Sequence, residues 1–306
     1  MIGLMAGVEL EFVAWLQRRS SGGGEKVRLG IGDDMAIVER PGGVILIASD
    51  MLLDGVHFDT SRHELVDIGK KAAACCLSDC AAMAVRPIAM TVSVAHPRAW
   101  SLNQAKELAS GVEAVAQAHH APVIGGDTTS WEKALVIDIG VLAEPFPGIE
   151  PVRRDGARAG DRLLVTGSLG GSSRGKHMRF EPRIAEAREI ALAVGGRLHA
   201  MIDVTDGLTL DLQRICGASG VGAVLDEGLL SRVISADAVA ASTEDGRSPL
   251  THALEDGEDF ELLVAIEGEV PDSLPLMPIG EVTKDGLFMR GVDGSMQPLS
   301  PHGYVH

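Results

Sequence analysis

The first half of the chain alternates between apolar runs of strand length and longer segments with apolar residues at helical spacing. Residues 44–48 form a continuous apolar run, typical of a buried strand, whereas residues 67–84 repeat small and apolar residues at helical spacing and precede Pro87. Ser101 and Gln104 have the spacing of a capping box, which predicts that a helix begins there. The full pattern predicts strands at 44–48, 88–95, 122–124 and 135–142, and helices at 67–84 and 101–119.

The second half repeats this alternation after a break. Three prolines and Gly148 interrupt the pattern within residues 144–154, so we predict two domains, at 1–148 and 149–306. Because the predicted strands are not uniformly apolar, the pattern disfavours a doubly wound parallel sheet and predicts an α+β fold. Beyond the break it predicts strands at 162–165, 199–202 and 260–266, two short strands within 277–289, and helices at 182–194, 208–216 and 229–241.

Composition narrows the class of protein. The 306 residues include 27 Lys and Arg against 43 Asp and Glu, a net charge of −16, and 45% of them are hydrophobic, which is typical of a folded globular protein. The acidic balance and the 3% of aromatic residues disfavour a nucleic-acid partner. No apolar run approaches the ~20 residues of a membrane span, and no basic segment precedes an apolar one at the N-terminus. We therefore expect a cytoplasmic protein without a membrane partner.

The four cysteines carry no recognisable chemistry. Cys75 and Cys76 are adjacent, Cys80 and Cys216 stand apart, and no CxxC pair occurs. This spacing disfavours a disulfide framework and a zinc site. We expect these residues to pack as small apolar side chains in a reducing compartment.

Aspartates recur in one context, after an apolar run and before a small or glycine-rich turn. Carboxylates at the ends of neighbouring strands would repel one another unless a cation held them, and Mg²⁺ prefers such oxygen ligands. Each aspartate alone is equally well explained as the cap of a turn or helix, but the repetition favours a cation site. The segments are 30–34 with Asp34, 47–50 with Asp50, 123–129 with Asp127, and 201–207 with Asp203 and Asp206.

Other polar residues are weaker candidates. Asp79 lies in a small and apolar helical segment, where a buried carboxylate needs a partner or a metal, unless this is an exposed flank of the helix. The glycine-rich segments 125–129 and 166–173 follow predicted strands and suit anion binding, although an ordinary turn is the better interpretation of each taken alone. Arg154 suits a phosphate or a solvated surface, and His57 suits a substrate contact or a structural role. No nucleophilic triad is present.

Taken in order, six segments resemble the motifs of the thiamine-monophosphate kinase family, within the aminoimidazole ribonucleotide synthetase-like superfamily. The segments are 30–36 (GIGDDMA), 49–58 (SDMLLDGVHF), 71–84 (KAAACCLSDCAAMA), 125–129 (GGDTT), 201–208 (MIDVTDGL) and 257–263 (GEDFELL). The resemblance implies an α+β fold with two αβ domains of the aminoimidazole ribonucleotide synthetase-like type and mixed or antiparallel sheets. It also implies a homodimer formed through the first domain.

The resemblance implies transfer of the γ-phosphoryl group of ATP, the co-substrate, to thiamine monophosphate, with Mg²⁺ as cofactor and no catalytic side chain. The implied metal ligands are Asp34, Ser49, Asp50, Asp79, Asp127, Asp203 and Asp206. The implied ATP contacts are Gly126, Asp127, Arg154 and Thr205. The implied contacts with thiamine monophosphate are His57, Glu258 and Tyr304.

Two alternatives stay open. Within the superfamily, the alternative is an ATP-dependent cyclo-ligase like aminoimidazole ribonucleotide synthetase. Outside it, the alternative is a non-catalytic nucleotide-binding module, which the complete set of aspartates disfavours. The departures from the family pattern are Ala48, Ser49 for Thr, Cys76 for Asn, Thr205 for Ser, Asp256 for Gly, and a short segment 170–182 expected on the nucleotide side. Since none of them removes a carboxylate, we expect an active enzyme.

Overall fold

The structure, a computed structural model, describes residues 6–20 and 24–304. Its helices are α1 (Ala6–Ser20), α2 (Leu65–Ala82), α3 (Leu102–Ala118), α4 (Ile184–Val194), α5 (Leu208–Ser219), α6 (Glu227–Leu230), α7 (Ala236–Asp245) and α8 (Pro249–Glu255). Its strands are β1 (Val27–Leu29), β2 (Ala36–Arg40), β3 (Gly43–Leu53), β4 (Val85–Pro97), β5 (Val123–Trp131), β6 (Val136–Pro145), β7 (Arg162–Val165), β8 (Leu198–Asp203), β9 (Gly222–Asp226), β10 (Leu262–Ile266), β11 (Met277–Thr283), β12 (Leu287–Arg290) and β13 (Met296–Pro298). None of the described helices is both long and apolar enough to cross a membrane.

The first half forms a six-stranded sheet in the order β1-β2-β3-β6-β4-β5. Neighbouring strands are antiparallel except β4 and β5, which run parallel and are joined by the crossover helix α3. Helices α2 and α3 pack closely because glycines stand at their contact. A Cβ at Gly69 would lie 2.1 Å from the Leu108 carbonyl oxygen, and one at Gly111 would lie 2.0 Å from the Val66 carbonyl oxygen. Only glycine allows this approach.

Helix α2 lies at the centre of the molecule. Most of its residues are buried, because it packs on the first sheet, on α3 and on elements of the second half, α4 and β8. Its small Ala and Cys side chains allow these contacts on several sides at once. All four cysteines of the chain are buried and form no disulfide, and Cys76 Sγ lies 3.1 Å from the Ile139 carbonyl oxygen.

The second half forms a seven-stranded sheet in the order β13-β12-β9-β11-β7-β10-β8. Only the β9–β12 pair is parallel, and the other pairs are antiparallel. A second apolar core lies under this sheet and includes Leu163, Ile202, Leu212 and Ile279. The predicted α+β fold with mixed sheets is confirmed. The domain boundary between residues 148 and 149 stays a prediction.

Three predicted elements differ clearly from the structure. The strand predicted at 122–124 continues to Trp131, so Asp127 lies inside β5 and segment 125–129 does not follow a strand. Residues 229–241 are not one helix, because α6 ends at Leu230 and α7 begins at Ala236. Between them Leu169 N donates to the Val233 carbonyl and Ser235 N donates to the Leu169 carbonyl, a tertiary pairing that interrupts the helical bonds. The strand predicted at 44–48 continues to Leu53 by pairing with β6. Asp50 therefore lies inside a strand and not at its end.

Candidate active site

Most side chains predicted for the site converge on one cavity of about 500 Å³, here called the carboxylate cavity. Its wall includes residues from both halves of the chain, because α2 brings the first sheet against β8 and the loops that follow β8 and α8. The predicted residues that line it are Asp34, Ser49, Asp50, His57, Asp79, Arg154, Asp203, Thr205, Asp206, Glu258 and Tyr304. Gly126 and Asp127 are not among them.

Four carboxylates approach one another in this cavity from four separate elements. Asp34 precedes β2, Asp50 lies in β3, Asp79 lies in the last turns of α2, and Asp203 ends β8. Donor oxygens of Asp34, Asp79 and Asp203 lie within 4.8 Å of one another, and those of Asp50 and Asp79 lie within the same distance of Cys76 Sγ. Asp79 therefore belongs to both groups and is the central ligand candidate.

The electrostatics of this group favour a bound cation. Burial raises the pKa of Asp50 to about 6, with a further contribution from Asp138. Burial also raises the pKa of Asp203 to about 7, although a hydrogen bond from Ser78 opposes the shift. The pKa values of Asp34 and Asp79 lie well above their ordinary value, because both are buried and near other carboxylates. The Oδ2 atom of Asp34 is buried without a hydrogen-bond partner in the described chain. This donor set fits Mg²⁺.

Among the described residues, Arg154 brings positive charge to the group. Arg154 Nη2 donates to Asp34 Oδ1 at 2.5 Å, and the Arg154 backbone N donates to Asp33 Oδ2 at 3.2 Å. Ser78 Oγ donates to Asp203 Oδ2 at 2.5 Å. Neither Asp33 nor Ser78 is among the site residues predicted from the sequence. The signal for Ser78 was its position next to Asp79 in a segment of α2, residues 72–82, that is otherwise small and apolar.

Ser49 and Asp206 line the cavity, but their side chains bind other groups. Ser49 Oγ donates to Asp138 Oδ1 at 2.7 Å on the neighbouring strand. The Asp206 carboxylate accepts a hydrogen bond from Arg214 Nη2, and the same guanidinium donates to Asp211 at 2.5 Å. Asp211 in turn accepts hydrogen bonds from the backbone N atoms of Thr205 and Asp206 at 3.0 and 3.1 Å. The turn that presents Thr205 and Asp206 is thus fixed by a buried carboxylate.

Gly126 and Asp127 lie on the edge strand β5 and line a different cavity, of about 350 Å³, here called the β5 cavity. Its walls include the apolar residues Val92, Trp100 and Leu108. Strands β6 and β4 separate β5 from β3, so at ~4.8 Å per strand Asp127 stands roughly 14 Å from Asp50 along the sheet. The structure therefore does not bring Asp127 to the carboxylates of its own chain, and its metal role stays a prediction.

The residues predicted to contact thiamine monophosphate lie where the carboxylate cavity meets a larger cleft of about 1040 Å³, here called the outer cleft. His57, Glu258 and Tyr304 line both spaces. His57 Nδ1 accepts a hydrogen bond from Leu53 N at 3.0 Å. The Tyr304 backbone N donates to the Asp206 carbonyl at 2.8 Å, which holds the end of the described chain against the cavity.

Asp256 and the short segment 170–182, both departures from the family pattern, contact each other. The Asp256 carboxylate accepts hydrogen bonds from Gly171 N at 2.8 Å and from Arg247 Nη1 at 3.1 Å. Asp256 therefore fixes the short segment 170–182, whose Ser172 and His177 line the outer cleft with Glu258 and Tyr304. Segment 170–182 does not line the β5 cavity with Gly126, and the expectation that it lies on the nucleotide side stays a prediction.

Comparisons with known proteins agree with this architecture. The family model described as AIR synthase related protein, N-terminal domain, matches residues 32–144, and its C-terminal counterpart matches residues 158–289. A thiamine-monophosphate kinase of Rhodopirellula baltica is 37% identical, covering 98% of this chain and 97% of that protein. A thiamine-monophosphate kinase of Bacillus subtilis is 30% identical, covering 92% and 94%.

Solved structures give the same result. The structure described as AaThiL complexed with AMPPCP and TMP superimposes with a TM-score of 0.82 and 27% identity, covering 95% of this chain and 96% of that one. A thiamine-monophosphate kinase from Stenotrophomonas maltophilia superimposes with a TM-score of 0.73 and 29% identity, covering 91% and 94%. With its motifs, both domains and its sequence matched over nearly its whole length, the chain belongs to the thiamine-monophosphate kinase family.

Proposed function

We propose that this protein transfers the γ-phosphoryl group of ATP to thiamine monophosphate and forms thiamine diphosphate, a step of thiamine diphosphate biosynthesis. The observation that carries the proposal is the group of buried and half-buried carboxylates around Asp79, which opens towards His57, Glu258 and Tyr304. The relatives that carry this activity in their names, and the similar structure with AMPPCP and TMP, support both substrates. The four buried, unpaired cysteines suit the reducing cytoplasm as its location.

Asp34, Asp50, Asp79 and Asp203 would hold Mg²⁺. The unpartnered Asp34 oxygen and the raised pKa values of the group support this assignment. When bound, Mg²⁺ neutralises charge on the phosphoryl oxygens, which is the main requirement of phosphoryl transfer. Arg154, already at the edge of the group, would add positive charge for the phosphates of ATP. The chain itself then orients the two substrates and needs no nucleophilic side chain.

The base of ATP would bind in the β5 cavity. Its apolar walls suit a purine ring, and Gly126, with φ +153, lets the backbone pass close to β4, because a Cβ there would lie 1.8 Å from the Val92 carbonyl oxygen. Asp127 lies beside Gly126 at the same cavity. Within one chain, strands β6 and β4 lie between Asp50 on β3 and Asp127 on β5. This separation is too large for Asp127 to share a metal ion with Asp50.

A homodimer resolves this separation. One face of the first sheet exposes Ile47, 44% accessible, and Met51, 58% accessible, at alternate positions of β3, as expected for a covered surface. We place the partner on this face, so that Asp127 and the β5 cavity of one protomer complete the carboxylate cavity of the other. Each active site would then contain residues of both protomers.

Subunit mixing tests the homodimer. Asp50→Asn and Asp127→Asn variants, each inactive alone, are unfolded together, refolded at equal amounts and assayed. If sites are shared, mixed dimers retain one intact site, and the mixture recovers about a quarter of wild-type activity on statistical grounds. No recovery, or a single-chain mass in sedimentation equilibrium, contradicts the shared site.

The activity is tested with purified protein, ATP, Mg²⁺ and thiamine monophosphate, with thiamine diphosphate separated by chromatography and quantified. We expect stoichiometric thiamine diphosphate and ADP. Formylglycinamidine ribonucleotide is the control substrate for the cyclo-ligase alternative. ADP release with that compound and none with thiamine monophosphate would overturn the proposal.

A further inference from the structure

Lys71 is a fully buried lysine at the junction of the two halves of the molecule. Its side chain is 0% exposed, and its ammonium Nζ donates to the His57 carbonyl oxygen at 2.5 Å and to Glu258 Oε1 at 2.6 Å. His57 belongs to the segment before α2, and Glu258 belongs to the loop after α8. One buried cation therefore binds both walls of the opening where thiamine monophosphate is expected.

Glu258 is held in an uncommon backbone conformation. Its φ of +60° lies in the left-handed region, which a residue with a side chain seldom occupies without compensating contacts. Its backbone N donates to the Thr205 carbonyl at 2.6 Å, and its side chain is held by Lys71. The neighbouring Asp259 accepts a hydrogen bond from Gly170 N at 2.8 Å. The segment is fixed at several points, as is typical where a side chain must be presented in one orientation.

The remaining exposure of Glu258 separates this pair from an ordinary buried ion pair. The Glu258 side chain is 29% exposed and lines both the carboxylate cavity and the outer cleft, although one of its oxygens is bound by a fully buried ammonium. A pair of apolar side chains would serve packing as well as a buried ion pair, since the desolvation of two charges offsets much of their attraction. What an apolar pair would not provide is a carboxylate fixed at the surface of the cavity.

We propose that Lys71 is the positioning residue of the substrate opening: it fixes the carboxylate of Glu258 and the His57 backbone, so that Glu258 is already oriented for thiamine monophosphate before the substrate binds. This inference rests on the proposed function. Lys71 does not line the cavity and does not touch the substrate. It acts through Glu258 and through the spacing between the two walls.

The test is a double-mutant cycle on substrate affinity. Dissociation constants for thiamine monophosphate and, separately, for AMPPCP are measured by calorimetry on the wild type, Lys71→Met, Glu258→Gln and the double variant. We expect each single variant to weaken thiamine monophosphate about tenfold, and the double variant to weaken it no further than the single ones, because Lys71 acts through Glu258. Affinity for AMPPCP should stay unchanged in all of them.

The neighbouring Lys70→Met is the matched control, since Lys70 lies on the exposed side of α2 and pairs only with Asp67 in the described contacts. It should leave both affinities unchanged. The proposal would be overturned if Lys71→Met weakened the affinity for both ligands equally, or if the affinity losses of the single variants multiplied in the double variant. If Lys71→Met does not fold, the affinity of the double variant, which leaves no unpaired buried charge, is compared with that of Glu258→Gln. The two should be equal.

A measurement without substrate separates this proposal from the proposed function. Hydrogen exchange of the peptide containing residues 257–261 should be faster in Lys71→Met than in the wild type, because the Glu258 N–H loses the support that keeps it on Thr205. If the wild type binds no thiamine monophosphate but the exchange changes, the proposed function fails, whereas the finding that Lys71 fixes Glu258 stands. Unchanged exchange overturns the positioning role.

Discussion

Two buried acidic groups in this chain differ in where their neutralising charge comes from. In the carboxylate cavity, Arg154 is the cation that pairs with the group of four aspartates in the described contacts, whereas Arg214 on the same wall pairs with Asp206 and Asp211. The pKa values of Asp50 and Asp203 are raised. Around Glu261, the chain supplies two cations to one carboxylate, with Arg183 and Lys176 each 2.8 Å from it. Burial alone would raise the pKa of Glu261, but these cations outweigh it and lower that pKa.

The difference shows which group is structural and which awaits a ligand. Glu261 is neutralised within the chain, and it connects segment 170–182 to strand β10 through Lys176. The aspartates around Asp79 are left with excess negative charge, which an external cation would compensate. An unpartnered oxygen does not separate the two groups, because Asp259, two residues before Glu261 in the chain, also has one among the described residues. Burial of acidic residues is therefore not diagnostic of a metal site, whereas several neighbouring carboxylates with too little positive charge from the chain favour one.

The largest effect is expected at the centre of the uncompensated group. Asp79→Asn should lower turnover by about a thousandfold or more, because losing a ligand weakens the bound metal and misplaces the phosphates. The same variant should be more stable than the wild type without Mg²⁺, since it removes one repelling charge. Steady-state assays and thermal unfolding in chelator measure the two effects. Asp67→Asn, at a partly exposed position in the first turn of α2, is the control and should change neither.

The opposite result is expected at the compensated group. Glu261→Gln should destabilise the protein by about 2–4 kcal/mol, because Arg183 and Lys176 lose the carboxylate that pairs them in a buried environment. The loss should be the same with and without Mg²⁺ in denaturant unfolding. A Mg²⁺-dependent loss would show that the two groups are coupled and that the contrast between them is false.

The metal should change the pH dependence of stability. The pKa values of Asp50, about 6, and Asp203, about 7, lie above the ordinary value of an unfolded aspartate, so the folded state binds more protons between about pH 4 and 7. Without Mg²⁺, stability should therefore fall as the pH rises through this range. Mg²⁺ at 100 times its dissociation constant should restore about 2.7 kcal/mol at pH 8. If the protein without Mg²⁺ is equally stable at pH 5 and pH 8 in chelator, the idea that these carboxylates are uncompensated is contradicted.

The smallest effect is expected at the mouth of the site. Tyr304 is 46% exposed, and its ring would lie against the cationic thiazolium of the substrate. Tyr304→Ala should raise the KM for thiamine monophosphate roughly 2- to 30-fold and leave the KM for ATP unchanged, since the expected cation–π energy is roughly 0.5–2 kcal/mol. Tyr304→Phe keeps the ring and should have little effect. A change in the KM for ATP would place the C-terminal segment at the nucleotide.

Local features of the fold followed from the sequence. The capping box of Ser101 and Gln104 is present, with Ser101 N donating to Gln104 Oε1 at 2.9 Å, and α2 spans Leu65–Ala82 where the periodicity predicted 67–84. The order of motifs predicted the family, which the comparisons confirm. These features were predictable because helical periodicity and capping depend on residues a few positions apart.

What the sequence could not determine were the partners distant in the chain. Strand β3 continues beyond Asp50 because β6 pairs with it. The helix predicted at 229–241 is interrupted because the Leu169 backbone hydrogen-bonds to residues near its centre. Lys71 reaches Glu258, 187 positions away, and Asp127 is kept from Asp50 by two intervening strands. The sequence by itself determined which carboxylates exist and the family they mark. Only the tertiary structure decided which of them share a cavity, because burial and charge compensation depend on neighbours that no local pattern encodes.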